Sequence, residues 1–226
     1  MFESKYSKVL TVILVIIIIA ILGLLAFLGY DFYQKYYLES EAEAFVSEFE
    51  NTVGEQNNDN TTTDDGNTTD PLSQIEQTNT STTTGSGQAA RPTFKGFGVV
   101  GTMSIPAINF NYPVLEKVTP KSIETSVAVI YPVGQEVNQV GNLVIIGHNY
   151  RNGLFFSNVK RLQLNDKIYI TDNSGNRLTY TIYNKFETTP EDTSFYQRDT
   201  NGKPEVTLST CTDDSKARII IFARAD

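Results

Sequence analysis

Two residue types that build cross-links and metal sites are almost absent from this chain. Its 226 residues include a single cysteine, Cys211, and a single histidine, His148. One cysteine permits no intrachain disulfide, and one Cys with one His falls short of the roughly four ligands that a Cys/His zinc site needs. We therefore expect no metal site of this kind and no required cofactor; a dependence on calcium, held by carboxylates and carbonyls, stays open.

Positive charge is also in short supply. The chain carries 18 Lys and Arg against 26 Asp and Glu, a net charge of −8. Proteins that bind nucleic acid neutralise its phosphates with a basic surface. The charge balance therefore predicts that nucleic acid is not a partner of this protein.

Residues 9–30 contain no charged residue at all: VLTVILVIIIIAILGLLAFLGY. As a helix this segment is long enough to cross a hydrocarbon core of about 30 Å, and its apolar core is too long for a cleaved signal peptide. Lys5 and Lys8 precede it and acidic residues dominate behind it, so the positive-inside rule places residues 1–8 in the cytoplasm and everything after the span outside. We expect a single-pass anchor over 9–30 in the cell membrane, followed by a juxtamembrane segment, 31–50, that can form a helix.

Residues 51–93 contain almost nothing apolar. Asn, Thr, Asp, Gly and Ser dominate this tract, and such a composition cannot offset the conformational entropy that a chain loses on folding. We therefore expect a disordered polar linker over 51–93, exposed on the outer side of the membrane.

From residue 94 onward the sequence has the pattern of a β-rich domain. Short β-branched runs such as SVAVIYPV and GNLVIIGHNY are bounded by Gly and Pro, and NSGN at residues 173–176 is a hairpin turn signal. Helical periodicity is sparse, with two short candidates, TPKSIETSV and GLFFSNVKRL. Many short strands with few helices predict an all-β domain over 94–226, either a sandwich or a barrel.

Three residues that can do chemistry lie at the ends of predicted strands. His148 follows NLVIIG, Cys211 ends VTLSTC, and Arg218 begins RIIIFA. Together they suffice for acyl transfer through a thiolate: the Cys attacks a carbonyl, the His exchanges protons with the thiol and the leaving amine, and the Arg donates hydrogen bonds to the developing oxyanion. The short turn between Cys211 and Arg218 makes their two strands neighbours.

The same three residues also allow other functions. A surface Cys/His hydrolase that releases acyl groups to water needs the same side chains and differs only in its acceptor. A non-catalytic surface β-module needs none of them, because a lone Cys is commonly a small buried apolar residue. Thiol reactivity separates the last alternative from the other two, since a nucleophile must be reachable.

The order of the motifs resembles the sortase family. Sortases end with a strand that finishes in T-L-x-T-C and a next strand that begins with Arg, as in TLSTC (207–211) and RIII (218–221) here. Their catalytic His closes a G-N-x-x-I-x-G-H motif, matched by GNLVIIGH (141–148), and GTMSIPAI and YPVL match their opening motifs. The resemblance covers residues 94–226.

This resemblance implies an eight-stranded, sortase-type β-barrel and a cysteine transpeptidase whose catalytic residues are His148, Cys211 and Arg218. Such enzymes cleave an LPxTG-like sorting signal through a thioacyl intermediate on the Cys. They then transfer the acyl group to an amine of a peptidoglycan precursor or a pilin lysine, which attaches proteins to the cell wall of Gram-positive bacteria. We also expect four hydroxyl residues near the Cys to contact substrate: Thr207, Ser209, Thr210 and Thr212.

Motifs that distinguish sortase subclasses point in different directions. TLSTC and GHN are typical of the class with more elaborate loops, but the stretch between YTIYN and VTLSTC is too short for the long helix that this class inserts there. The aromatic lid motif D-P-[FWY] of pilin-polymerising sortases is not matched, because Leu72 follows Asp70 and Pro71. A housekeeping-like and a sporulation-associated type remain as alternatives.

Overall fold

The computed structural model describes residues 3–58 and 91–226. Most of the expected linker, together with the Asp70-Pro71 pair, lies outside the described residues. The chain divides into two compact units, Met1–Phe45 and Val46–Asp226.

The first described element is a long helix, α1, which spans Glu3–Asn58. It contains the apolar segment 9–30, whose side chains are exposed along its length, and among the described residues it is the one helix long and apolar enough to cross a membrane. The juxtamembrane segment 31–50 is helical, as the sequence allows. Helix α1 also continues through Asn58, into the tract that its composition predicts to be a linker.

The part of α1 that begins at Val46 belongs to the second compact unit, which also contains the strands described below. Val46, Phe49 and Val53 recur at the spacing of one helix face and are buried. Beside them, Glu50 accepts a hydrogen bond from Arg177 at 2.8 Å in an ion pair. The apolar face and this ion pair explain why a helix forms beyond the predicted boundary.

The described residues from Thr93 onward form nine strands in one sheet. Their bounds are β1 Thr93–Phe94, β2 Phe97–Ile105, β3 Phe110–Leu115, β4 Val127–Tyr131, β5 Gly141–Ile146, β6 Lys167–Asp172, β7 Arg177–Thr188, β8 Pro204–Cys211 and β9 Arg218–Ala225. The strand order is β1-β2-β3-β4-β5-β8-β9-β7-β6, and β2 also pairs with β6. This last pairing closes β2 to β9 into an eight-stranded barrel, with β1 added outside the ring, which confirms the barrel that the resemblance implies.

Three short helical segments lie between the strands. They are a 3₁₀ helix at Pro106–Ile108, helix α2 at Pro120–Ile123 and a 3₁₀ helix at Phe156–Arg161. The last two fall within the two predicted helical segments. The predicted turn at 173–176 joins β6 to β7, where Gly175 has a positive φ of 80° that suits glycine.

Strands β5 and β8 run parallel through the centre of the wall that carries the candidate site. Both are buried over most of their length, as expected for parallel strands covered on both faces. The barrel core covers the inner face. The connection between β7 and β8, residues 189–203, covers the outer face, where its Phe195 packs in a buried cluster with Val144, Ile220 and Phe222.

Candidate active site

The register of three neighbouring strands brings the three predicted catalytic residues together. Parallel pairing of β5 and β8 places Ile146 beside Ser209, so His148 and Cys211 each lie two residues further on, at the same end of the sheet. Antiparallel pairing of β8 and β9 places Cys211 directly opposite Arg218. All three side chains line one pocket of about 300 Å³.

Tight packing at Gly147 fixes where the chain leaves β5 before His148. A Cβ atom at this position would lie 2.7 Å from a methyl group of Val127 and 2.9 Å from the ring of Phe156, which is closer than side-chain atoms approach. The Gly147 N–H donates to the Ser209 carbonyl at 3.3 Å, and the Thr210 hydroxyl donates to the Gly147 carbonyl at 2.8 Å. Only glycine therefore lets the His-bearing segment follow the Cys-bearing strand so closely.

A second set of bonds joins the segments that follow His148 and Cys211. The Asn149 side-chain amide donates to the Cys211 carbonyl at 3.0 Å and to the Asp213 carboxylate at 2.9 Å. Lys160 pairs with the same carboxylate at 2.5 Å. The hydrogen bond from Lys160 has the largest effect on the pKa of Asp213, and together with the bond from Asn149 it holds this pKa below its ordinary value. The carboxylate therefore remains an acceptor, and Asn149 bridges the segments that follow His148 and Cys211.

His148 is half-buried at the pocket rim, and its ring lies 4.9 Å from the ring of Tyr150, centroid to centroid. Burial lowers the pKa of the imidazole, and the negative charge of Glu124 at the end of α2 partly opposes this effect. The neutral imidazole is therefore favoured at pH 7. In this form His148 can accept the proton of a thiol or of an attacking amine.

Arg218 enters the pocket from the first residue of β9. Its guanidinium donates to the carbonyl of its own neighbour, Ala217, at 3.3 Å. Tyr196 lines the same pocket as Arg218; burial raises the pKa of its hydroxyl, and the positive charge of Arg218 opposes that rise. A guanidinium so placed offers fixed donors to a negatively charged oxygen that forms beside Cys211.

The rest of the pocket wall is largely apolar. Ile130 and Ile146 come from β4 and β5, and Ile123 comes from α2. The 189–203 connection supplies the opposite side, with Pro190, Asp192, Phe195 and Tyr196. The wall therefore suits an apolar ligand segment in the pocket that Cys211 lines.

The four residues expected to contact substrate separate into two groups. Ser209 and Thr210 line the pocket, and their role in substrate binding stays a prediction. Thr207 is fully buried and donates to the side-chain oxygen of Asn142 at 2.7 Å. Thr212 closes the turn before β9, where its hydroxyl donates to Asp214 at 2.6 Å and accepts from the backbone of Ala217. Thr207 and Thr212 are therefore held in structural bonds and do not line this pocket; a role for them in substrate binding stays a prediction.

Sequence patterns do not identify the other residues of the site. Asn149 and Tyr150 directly follow His148, and only their adjacency to it could draw attention to them. Phe195 and Tyr196 form an aromatic pair inside a polar connection, which is the one local signal that this loop packs against the domain. No cluster of three or more His, Cys, Asp or Glu side chains suited to a metal occurs among the described residues; the lack of a required cofactor stays a prediction.

Among protein-family models, that of the sortase domain matches residues 103–226 of this chain. The chain is 34% identical over 129 residues to sortase A of Bacillus anthracis, an alignment that covers 54% of this chain and 58% of that protein. It is 28% identical over 133 residues to sortase A of Streptococcus agalactiae, covering 57% of this chain and 53% of that protein. The chain thus spans somewhat more than half the length of these curated relatives.

Solved structures show the same likeness. Sortase A of Corynebacterium diphtheriae superposes with a TM-score of 0.52 at 28% identity, covering 57% of this chain and 61% of that chain. The sortase D5 transpeptidase of Clostridium perfringens superposes with a TM-score of 0.50 at 26% identity, covering 57% and 79%. The matched region contains the whole pocket with His148, Cys211 and Arg218, and this chain therefore belongs to the sortase family.

Proposed function

We propose that this protein is a membrane-anchored cysteine transpeptidase that attaches other proteins to the cell wall. It cleaves an LPxTG-like sorting signal and joins the new carboxyl end to an amine of a peptidoglycan precursor or of a pilin lysine. The observation that supports this most strongly is the convergence of Cys211, His148 and Arg218 on one pocket. The chain has no other thiol that can serve as the nucleophile.

The first half-reaction forms a thioester. The Cys211 sulfur, having given its proton to His148, attacks the carbonyl carbon of the Thr residue in the signal, and Arg218 donates hydrogen bonds to the oxyanion of the tetrahedral intermediate. As the intermediate collapses, the C–N bond to Gly breaks. The imidazolium of His148 returns its proton to the leaving amine.

The second half-reaction runs the same steps toward a new amide. The acceptor amine attacks the thioester carbonyl, and His148 takes the proton that the amine loses. Arg218 again stabilises the oxyanion, the C–S bond breaks, and the sulfur leaves as a thiolate that recovers its proton from His148. No oxidation or reduction occurs, and the enzyme ends in its starting state.

The shape of the pocket supports a sorting signal as the substrate. Ile130, Phe195 and Pro190 line the wall beyond the sulfur, and apolar side chains such as the Leu and Pro of an LPxTG signal gain free energy when they leave water for such a wall. Ser209 and Thr210 line the same pocket, next to Cys211 in the chain.

We propose the membrane orientation on the basis of charge. Lys5 and Lys8 precede the apolar part of α1, and acidic residues dominate after it, so the N-terminus lies in the cytoplasm and the barrel lies outside. Sorting-signal proteins and amine acceptors are then on the same side of the membrane as Cys211.

Mass spectrometry of reaction products tests the proposal. The full chain in detergent or nanodiscs is incubated with a small library of LPxTG-like peptides and candidate amines, with Cys211→Ala as the matched control. We expect a new amide between the Thr carbonyl and the amine. Cleavage with water as the only acceptor would favour a surface hydrolase, and a lack of cleavage with a fully alkylatable Cys211 would contradict both enzymatic functions.

A further inference from the structure

The 189–203 connection forms one side of the active-site pocket although it contains no regular strand or helix. Its Phe195 and Tyr196 line the pocket, and Tyr196 also stacks on Tyr131 at 5.8 Å between ring centroids. A loop that lines a binding site must be held by contacts outside that site if its shape is to be fixed before substrate arrives.

Asn142 makes the most direct of these contacts. Its side chain is 6% exposed, and its amide nitrogen donates to the backbone carbonyls of both Phe195 and Tyr196, at 3.0 Å in each case. A buried side chain thereby fixes the backbone of the two aromatic residues of the loop. Its amide oxygen accepts from the Thr207 hydroxyl at 2.7 Å.

Arg198 provides the second donor to this amide oxygen and connects the loop to the sheet. One nitrogen of its guanidinium lies 3.0 Å from the Asn142 side-chain oxygen, and another lies 2.8 Å from a carboxylate oxygen of Glu205. The side chain of Glu205 is fully buried. Breaking a buried ion pair is costly, so the pair with Glu205 favours the conformation of the loop that delivers Arg198.

Glu205 has a second cationic partner that does not belong to the loop. Arg224 on β9 pairs with the other oxygen of the same carboxylate at 2.6 Å. The two arginines therefore neutralise one buried charge from two sides. Only Arg198 joins that charge to the 189–203 connection.

Neither Asn142 nor Arg198 lines the pocket that contains Cys211. Both line a separate cleft of about 490 Å³, and Tyr196 borders the two cavities. Glu205 and Cys211 lie six residues apart on β8, which is roughly 20 Å at about 3.3 Å per residue. An effect of Asn142 or Arg198 on turnover is therefore indirect, and the loop is the element that connects both residues to the pocket wall.

We propose that Asn142, Arg198 and Glu205 are positioning residues that hold Phe195 and Tyr196 in the wall of the pocket and so set the affinity for the segment of the substrate that precedes the scissile bond. This inference rests on the proposed sortase function for its kinetic part. Its structural part, the anchoring of the loop, can be measured without any substrate.

Two matched variants test the proposal in the full chain. Arg198→Met and Arg224→Met each remove one cation from Glu205 and leave the other, but only Arg198→Met releases the loop. For Arg198→Met we expect KM for a sorting peptide to rise about tenfold with kcat within about twofold of wild type, because binding is lost while the reacting groups stay in place. For Arg224→Met we expect both constants to stay within about twofold.

Hydrogen exchange supplies the readout that does not depend on activity. Amides of the 189–203 connection should exchange about tenfold faster in Arg198→Met than in wild type, because a loop with fewer anchors opens more often. The same amides in Arg224→Met should match wild type. Equal effects of the two variants on exchange or on KM would overturn the proposal, since they would reflect a general loss of stability around Glu205.

Failure of the proposed function is distinguishable from failure of this inference. If wild-type protein cleaves no sorting peptide, the transpeptidase proposal fails, and the exchange rates of the two variants still decide whether Arg198 anchors the loop. If wild-type protein is active and Arg198→Met lowers kcat without raising KM, the assignment of these residues to substrate affinity is refuted.

Discussion

Arg218 and Arg224 lie on the same face of β9, and single replacements distinguish their roles in turnover. The spacing of six residues gives them the same parity along the strand, so the face alone does not distinguish them. The cross-strand partners do: Arg218 pairs with Cys211, and Arg224 pairs with Glu205. The guanidinium of Arg224 also forms an ion pair with Glu205, whereas Arg218 lines the pocket.

The expected effect on turnover follows from these positions. Loss of one oxyanion donor typically lowers kcat by about 10²–10³, or roughly 2.7–4 kcal/mol of transition-state stabilisation. We expect Arg218→Ala to lose at least this much, because Arg218 is the cation opposite Cys211. Arg224 lies about 20 Å along the strand at about 3.3 Å per residue, so Arg224→Met should be nearly neutral for chemistry.

Steady-state kinetics of the variants on one sorting peptide measure the difference. Arg218→Lys is the informative third variant, because an ammonium keeps the charge but lacks the planar fork of the guanidinium. We expect it to recover only part of the activity that Arg218→Ala loses. Thermal unfolding of each variant checks that the barrel is intact. A nearly inactive Arg224→Met beside an active Arg218→Ala would show that the wrong arginine has been assigned, and full activity of Arg218→Lys would refute the role of the fork.

Three further predictions concern the thiol, the imidazole and the membrane topology. Cys211→Ala should abolish cleavage without unfolding the domain, and an alkylating agent should label wild-type protein at Cys211 alone, since it is the sole thiol; turnover above a trace in Cys211→Ala would rule out covalent catalysis. His148 is the sole histidine, so its NMR titration needs no assignment: its pKa should lie below the ordinary value of 6.5, and Glu124→Gln should lower it further by removing the opposing charge. Because the folded state then binds this proton less readily than the unfolded chain, His148 should contribute a loss of stability as the pH falls through 6.5 toward the folded pKa; a pKa that stays unchanged or rises in Glu124→Gln would contradict this electrostatic account. Protease added to intact protoplasts should cut between residues 59 and 90, and protection of that tract from external protease would reverse the proposed orientation.

Local patterns predict the elements of this fold better than their assembly. The β-branched runs and the NSGN turn mark most strands, and the family motifs identify the barrel. Closure of the barrel depends on the pairing of β2 with β6, which aligns Met103 with Ile170. No short window of sequence contains such a pair. The end of α1 at Asn58 is hard to predict for the same reason, because Val46, Phe49 and Val53 gain stability from burial in the second unit, and composition does not report burial.

The site shows the same division between local signals and long-range contacts. His148, Cys211 and Arg218 belong to contiguous motifs and are predicted together. The anchoring of the loop depends on hydrogen bonds from Asn142 to backbone carbonyls more than fifty residues later in the chain. The identity of a residue does not predict such a long-range contact. Thr207 shares a face of β8 with Cys211 by alternation, but Arg198 and Asn142 cover it, so parity along the strand could not reveal that it lies away from the pocket.

The last turns of α1 change where the β-rich domain begins. Val46, Phe49 and Val53 are buried in the same compact unit as the strands, and Glu50 pairs with Arg177 of β7 at 2.8 Å. Burial of each large apolar side chain contributes about 1.5–3 kcal/mol, whereas an exposed ion pair contributes about 0–1 kcal/mol. The three apolar side chains therefore dominate the attachment of these turns, which are for this reason better regarded as part of the barrel domain than as the start of its linker.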